Sequence, residues 1–298
     1  MMKVNLCGVT LKNPVIAASG TFGFGREYAK FFNLDQLGGM VSKGLTLNPK
    51  EGNRGLRIHE TTAGIMNSIG LQNPGIKAFI DTELKYMLSQ DTETIANLGG
   101  NSLADYVEGA KLLNATDLKF IELNISCPNI KEGGMAFGIT CDSAEVVVKA
   151  VREVTDKILI VKLSPNAHDI KAMAQTCVAA GADALSLVNT FNALAIDVET
   201  RKPYFENVTA GLSGPCIKPI ALRMVREVAS VVEVPIIGLG GIMNANDALE
   251  FIMAGATAVQ VGTANFTDPT VMLDIIQGIE AYMVRHDLQS LEEIRGII

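Results

Sequence analysis

The chain has 298 residues, 48% of them hydrophobic and 19% charged, an ordinary balance for a globular protein large enough to bury a sizeable core. Twenty-five basic against thirty-two acidic side chains give a net charge of -7, and no cluster of Lys and Arg could follow a phosphate backbone, which argues against nucleic acid as a partner. The start, Met1-Met2-Lys3-Val4-Asn5-Leu6, has no apolar leader, and no apolar run reaches roughly 18 residues, so a cytoplasmic chain with no membrane span is expected.

Val4 to Leu6 and Val9 to Leu11 flank Gly8 and read as a small N-terminal hairpin. Eight short apolar runs follow: Val15 to Ala18, Met40 to Ser42, Thr94 to Leu98, Phe120 to Leu123, Ile158 to Leu163, Ala184 to Val188, Val234 to Gly238 and Ala258 to Val261. Amphipathic segments lie between them, namely Ile76 to Leu88, Leu103 to Leu113, Ser143 to Thr155, Ile170 to Ala180, Ile217 to Val232, Ala245 to Ala254 and Thr270 to Arg285. Strands without internal alternation are buried on both faces, and eight of them alternating with helices predict a closed (β/α)8 TIM barrel. No linker or shift of composition divides the chain, so residues 1–298 are expected to form one domain. Two connections, Asn48 to Ile95 and Asn189 to Gly214, are long and are expected as inserted loops at the C-terminal face, only the first containing a helix.

Residues just after each barrel strand share the face where barrel enzymes do their chemistry. These are Ser19-Gly20, Lys43-Gly44, Asn97 to Gly100, Asn124 with Cys127, Lys162, Asn189-Thr190, Gly238-Leu239-Gly240-Gly241 and Gly262-Thr263. Glycines after the last two strands can expose backbone N–H groups at the usual phosphate site of barrels, with Ser213-Gly214-Pro215 completing the cradle; they can equally close tight turns with no ligand. Lys43 and Lys162 end apolar strands, where each either pairs with a strand-end carboxylate or meets a bound anion; few acids sit there, and the anion is the expected partner. Glu122 is expected to face the helices or an inner layer. Asn67, Asn97, Asn124 and Asn189 offer carboxamides suited to the edges of a pyrimidine-like or flavin ring.

In Asn124-Ile-Ser-Cys-Pro-Asn129, Pro128 stiffens the turn that carries Cys127, a thiol read either as core packing or as a positioned base. The five cysteines are scattered without a Cys-x-x-Cys pair, which argues against a metal cluster or zinc on this chain, and His59, His168 and His286 have no ligand spacing. Cys7, Cys141, Cys177 and Cys216 are expected to pack. Gly20-Thr-Phe-Gly23-Phe-Gly25 has the wrong spacing for a dinucleotide fingerprint, so NAD or FAD in a Rossmann manner is not expected here.

These motifs, with Ser42-Lys-Gly-Leu-Thr46, Asn67-Ser-Ile-Gly-Leu-Gln-Asn-Pro-Gly75, Val161-Lys-Leu-Ser-Pro165, Leu187-Val-Asn-Thr190, Gly211-Leu-Ser-Gly-Pro215 and Gly238-Leu-Gly-Gly-Ile242, span nearly the whole chain. Together they resemble the class 1 dihydroorotate dehydrogenases, whose base is a cysteine. The resemblance implies an FMN flavoprotein that oxidises (S)-dihydroorotate to orotate in pyrimidine biosynthesis, the residue matching Cys127 taking the C5 proton while hydride leaves C6 for the flavin. It implies substrate contacts at Lys43, Asn67, Ser68, Ile69, Gly70, Leu71, Asn124, Asn189 and Thr190. Flavin contacts are implied at Ser19, Lys43, Gly44, Asn97, Asn124, Lys162, Val188, Gly214, Gly240, Gly241, Gly262 and Thr263, with Lys162 at the edge where charge collects.

The stretches Ile196-Asp-Val-Glu-Thr-Arg-Lys-Pro203 and Gly214-Pro-Cys-Ile-Lys-Pro219 resemble the NAD-linked type. That implies a partner subunit carrying FAD and a [2Fe–2S] cluster in a two-plus-two heterotetramer built on a homodimer. A fumarate-using homodimer, a reductase of uracil-type rings and a flavin-binding scaffold without turnover are the alternatives. Gly55-Leu56-Arg57 departs from the family, where prolines are expected beside the arginine.

Overall fold

A computed structural model describes residues 2–126 and 137–298. Along the chain the strands are β1 (Val4–Leu6), β2 (Val9–Leu11), β3 (Val15–Ala17), β4 (Gly39–Val41), β5 (Ile58–Thr61), β6 (Gly64–Asn67), β7 (Glu93–Leu98) and β8 (Phe120–Asn124). There follow β9 (Ile158–Lys162), β10 (Ala184–Leu187), β11 (Phe191–Leu194), β12 (Ile196–Asp197), β13 (Lys202–Pro203), β14 (Thr209–Ser213), β15 (Ile236–Leu239) and β16 (Ala258–Val261).

β1 and β2 form the expected hairpin, with Cys7 and Gly8 at positive φ in its turn. The barrel closes in the order β3-β4-β7-β8-β9-β10-β15-β16, and these are the eight strands anticipated from the apolar runs. β15 starts at Ile236 rather than Val234, since Pro235 has no N–H for the ladder. Every residue of β10, β15 and β16 is buried, as expected for strands that face helices on one side and the packed barrel interior on the other.

Side-chain caps start the outer helices where turn residues meet apolar periodicity. Ser102 accepts from the Asp105 N–H before the helix Leu103–Asn114, Asp169 from Lys171 and Ala172 before Ile170–Ala179, and Asn244 from Asp247 before Ala245–Met253. The helical stretch expected over 76–88 is interrupted by a π turn at Phe79–Glu83 between Ile76–Ala78 and Leu84–Leu88.

The two long connections are not loops. Their strands assemble into a four-stranded antiparallel sheet in the order β11-β14-β6-β5, joined where Asn67 pairs with Gly211 and Met66 with Leu212. Met66, Phe205 and Ala210 bury its own small core, with Ala193, Ala195 and Leu212 packed against them. β12 and β13 add a separate ribbon. Among the described residues no helix is long and apolar enough to cross a membrane.

Candidate functional site

The parallel register sets which polar side chains point inward. On β8, Glu122 and Asn124 lie two residues apart and therefore share a face, and pairing of Asn97 with Glu122 and of Asn124 with Lys162 puts four polar groups from three adjacent strands together. All are buried. Such groups require partners, and the partners are each other.

Glu122 lies in the barrel interior with no exposed surface. Its Oε1 accepts from Asn97 Nδ2 at 2.6 Å and faces Lys162 Nζ at 3.5 Å, while its Oε2 accepts from Gln260 Nε2 at 2.7 Å and Ser186 Oγ at 2.9 Å. The expectation that Lys162 lacks a carboxylate neighbour is therefore corrected. A register that turns both residues inward on neighbouring strands gives it Glu122, with Ser19 Oγ as a second contact at 3.3 Å. Three of the four expected asparagines form a row: Asn124 Nδ2 donates to Asn97 Oδ1 at 3.4 Å, and Asn189 Nδ2 donates to Asn124 Oδ1 at 3.3 Å. Asn189 Oδ1 in turn accepts the Thr190 N–H at 2.8 Å. Asn67 stands apart on the inserted sheet, donating to the Gly211 carbonyl at 3.3 Å.

Lys43 follows β4, its N–H bound to the Gly23 carbonyl at 3.0 Å. Its ammonium has no hydrogen-bond or ion-pair partner among the described residues. Burial, and then the nearby Arg57 charge, lower its pKa from the ordinary lysine value, against a smaller opposing effect of Glu27. A half-buried cation held this way favours an arriving anion.

Ser68 to Leu71 wrap the segment after β6. The Ser68 N–H donates to the Arg57 carbonyl at 2.8 Å, the Ile69 carbonyl accepts from Asn53 N, and Gly70 and Leu71 both take positive φ. A Cβ on Gly44 would sit 3.0 Å from Leu71 Cδ2 and 3.2 Å from Asn97 Oδ1, which ties this segment to the carboxamide row.

At the ends of β14 and β15, Gly214 (φ 105), Gly240 (φ 129) and Gly241 (φ 77) hold conformations that L side chains rarely adopt. A Cβ on Gly240 would lie 2.6 Å from Ala221 Cβ and 3.4 Å from Val188 Cγ2, and one on Gly241 would lie 2.7 Å from the Gly214 carbonyl. The turn geometry of the chain itself therefore requires these glycines. Gly262 differs, because its nearest neighbour would be Ala18 Cβ at an ordinary 3.5 Å. The Gly240, Gly241 and Thr263 N–H groups have no partner among the described residues, and Thr263 Oγ1 donates to Ser213 Oγ at 2.9 Å. Free N–H donors at the ends of the last two strands are a candidate anion cradle.

Cys127, the candidate base, and Pro128 lie outside the described residues. Of the other cysteines, Cys177 is buried, with its thiol pushed up to about 12 by burial and then Cys141, and Cys7 is raised to about 11 by burial and then Asp183. Cys216 is exposed rather than packed. Among the described residues no group of three or more His, Cys, Asp or Glu is placed to hold a metal ion. Sequence reasoning missed Ser186 and Gln260. Both had a signal, each being one hydrogen-bonding side chain in an otherwise apolar buried strand.

Fold and site together define an α/β-barrel with a candidate anion site at its last two strands and a row of carboxamides in its mouth. Residues 1–283 match the family model described as dihydroorotate dehydrogenase, and the chain belongs to that family. It is 64% identical over 296 residues, 99% of both chains, to a protein of Petrotoga mobilis named dihydroorotate dehydrogenase B (NAD(+)), catalytic subunit. Proteins of the same name from Thermoanaerobacter pseudethanolicus and Porphyromonas gingivalis are 51% and 53% identical, over 99% and 97% of this chain and 98% and 94% of theirs.

Proposed function

We propose that this single-domain chain oxidises (S)-dihydroorotate to orotate in pyrimidine biosynthesis, as a cytoplasmic FMN enzyme. The observation that carries this reading is the head-to-tail row of Asn97, Asn124 and Asn189 beside the unpartnered ammonium of Lys43. Such a row meets a ring with carbonyl and N–H edges, and the ammonium meets a carboxylate.

The residues present fit FMN. Free N–H groups at Gly240, Gly241 and Thr263 suit a phosphate, and Gly262, with no side chain, would let a ligand approach the backbone there. Gly214 and Val188 line that side, while Ser19, Gly44, Asn97, Asn124, Lys43 and Lys162 would hold the ring. When bound, the flavin supplies the acceptor for the hydride leaving C6.

The chain's own residues do the rest. Lys43 binds the substrate carboxylate, and Asn67, Asn124, Asn189 and Thr190 hold the ring edges, with Ser68, Ile69, Gly70 and Leu71 closing the segment over it. Cys127 takes the C5 proton, an assignment made on sequence. Lys162 would stand at the flavin edge where negative charge collects on reduction, with Glu122 Oε1 as its own neighbour at 3.5 Å. Electrons then reach NAD through a partner subunit with FAD and [2Fe–2S], in a heterotetramer on a homodimer core; the naming of similar proteins as catalytic subunits supports such a partner.

The test is anaerobic. Purified chain mixed with dihydroorotate should lose its flavin absorbance rapidly and regain it with neither NAD nor fumarate. Recovery with fumarate alone would instead mark a self-sufficient homodimer, and no bleaching would sink the substrate assignment.

A further inference from the structure

We infer that Tyr106 is a positioning residue for the proton transfer, tying together the two ends of the connection that leaves β8 and returns at Phe137. The inference rests on the dihydroorotate reading for its reaction, and on contacts among the described residues for its mechanism.

Tyr106 belongs to the helix Leu103–Asn114, outside the barrel, and none of its surface is exposed. A tyrosine buried to that extent needs a partner for its hydroxyl. It finds one at the last residue of β8, where the strand leaves the sheet and its carbonyl takes a side-chain donor: the Tyr106 hydroxyl donates to the Asn124 carbonyl at 2.8 Å. The ring meets the returning chain. Phe137 stands edge-on to it, with centroids 5.7 Å apart and planes at 88°. Gly100, after β7, leaves room for that ring, because a Cβ there would lie 2.9 Å from its nearest ring atom.

The two ends also touch each other, since a Cβ on Gly138 would lie 2.7 Å from the Ile125 carbonyl. Other contacts hold one end each. Ser126 Oγ donates to the Lys162 carbonyl at 3.2 Å on the outgoing side, and Ser143 Oγ donates to the Phe137 carbonyl at 3.2 Å on the returning side. Tyr106 reaches both ends with one rigid side chain, so it fixes the distance between them. Cys127 follows Ser126 directly in sequence, and the place where its backbone leaves the barrel is therefore set by the Tyr106 hydroxyl. A base must come within hydrogen-bond reach of the proton it removes, and a small displacement of the group that carries it slows the transfer far more than it weakens binding.

Tyr106→Phe keeps the ring against Phe137 and releases only the Asn124 carbonyl, whereas Phe137→Leu keeps the hydroxyl and loosens the other end. In stopped-flow mixing of FMN-loaded Tyr106→Phe with saturating dihydroorotate, flavin reduction should slow by roughly five-fold or more, while the substrate Kd changes by less than about three-fold. Deuterium at C5 should slow the variant by a larger factor than it slows wild type, because proton removal then limits the rate more fully. A merely structural hydroxyl would lower the thermal midpoint and leave the isotope effect alone. A smaller loss of rate, an unchanged isotope effect, or weaker binding in place of slower reduction overturns the inference. If Tyr106→Phe does not fold, Phe137→Leu is held to the same three readings. Hydrogen exchange followed by mass spectrometry needs no substrate: in FMN-loaded Tyr106→Phe, peptides covering residues 120–126 and 137–143 should exchange faster than in wild type, and those covering β15 and β16 at the same rate. Unchanged exchange at both ends refutes the tie whatever the substrate is, whereas wild-type flavin that dihydroorotate fails to bleach refutes only the reading of the reaction.

Discussion

Lys43 shows how a single side chain can be read at two depths. A lysine ending an apolar strand is visible in sequence; its lowered pKa is not, because burial and the Arg57 charge that cause it come from the fold. A bound carboxylate raises that pKa again, so orotate binding takes up protons wherever the pH lies between the ligand-free and ligand-bound values. Affinity is full below the lowered pKa and falls as pH rises through it. Calorimetry in buffers of different ionisation enthalpy should therefore find proton uptake in wild type that is missing from Lys43→Met, and the substitution should cost about 1.5–3 kcal/mol of orotate affinity at neutral pH. Lys162 was legible only in part, because its nearest carboxylate lies on the neighbouring strand and only the register reveals the approach. For Cys127, a hydroxyl is a far weaker base than a thiol, so Cys127→Ser should keep FMN and lose most of the rate of flavin reduction near pH 7 in stopped-flow measurements. Equal rates would remove Cys127 from the mechanism.

At the scale of elements, the barrel strands could be read because burial on both faces writes them as uninterrupted apolar runs. The inserted sheet could not. Its strands are short, β5 and β11 alternate exposed with half-buried positions, and β6 pairs with β14 from about 140 residues away, so no local pattern announces the partner. The glycines of the cradle divide by the same kind of argument. In Gly241→Ala a Cβ meets the Gly214 carbonyl at 2.7 Å on a backbone of positive φ, so the ligand-free fold itself should lose about 1–2 kcal/mol, seen as a thermal midpoint lower by several degrees. In Gly262→Ala the new methyl finds ordinary contacts, so the ligand-free midpoint should stay within a degree or so while FMN affinity falls by about ten-fold. An unchanged flavin affinity in Gly262→Ala would separate that glycine from the cofactor.

For the whole molecule, the inserted connections raise a question of cover. Ile58, Leu194, Ile196, Val198 and Val208 are between 45% and 76% exposed, and all lie in or beside the strands of the two insertions. Scattered apolar side chains need no explanation, but several on elements outside the barrel make the insertions the place where a contact with another protein chain is to be tested. A homodimer core with an attached electron-transfer subunit would supply that cover. Ile196→Asp and Val198→Asp place a charge where such a contact would desolvate it, while in the lone chain each carboxylate stays in water. Sedimentation velocity should then show wild-type chain as a dimer or larger and the variants shifted toward monomer, with flavin content and thermal midpoint of the folded unit preserved because neither side chain contributes to a core. An unchanged sedimentation coefficient in both variants would move the assembly surface off this part of the molecule.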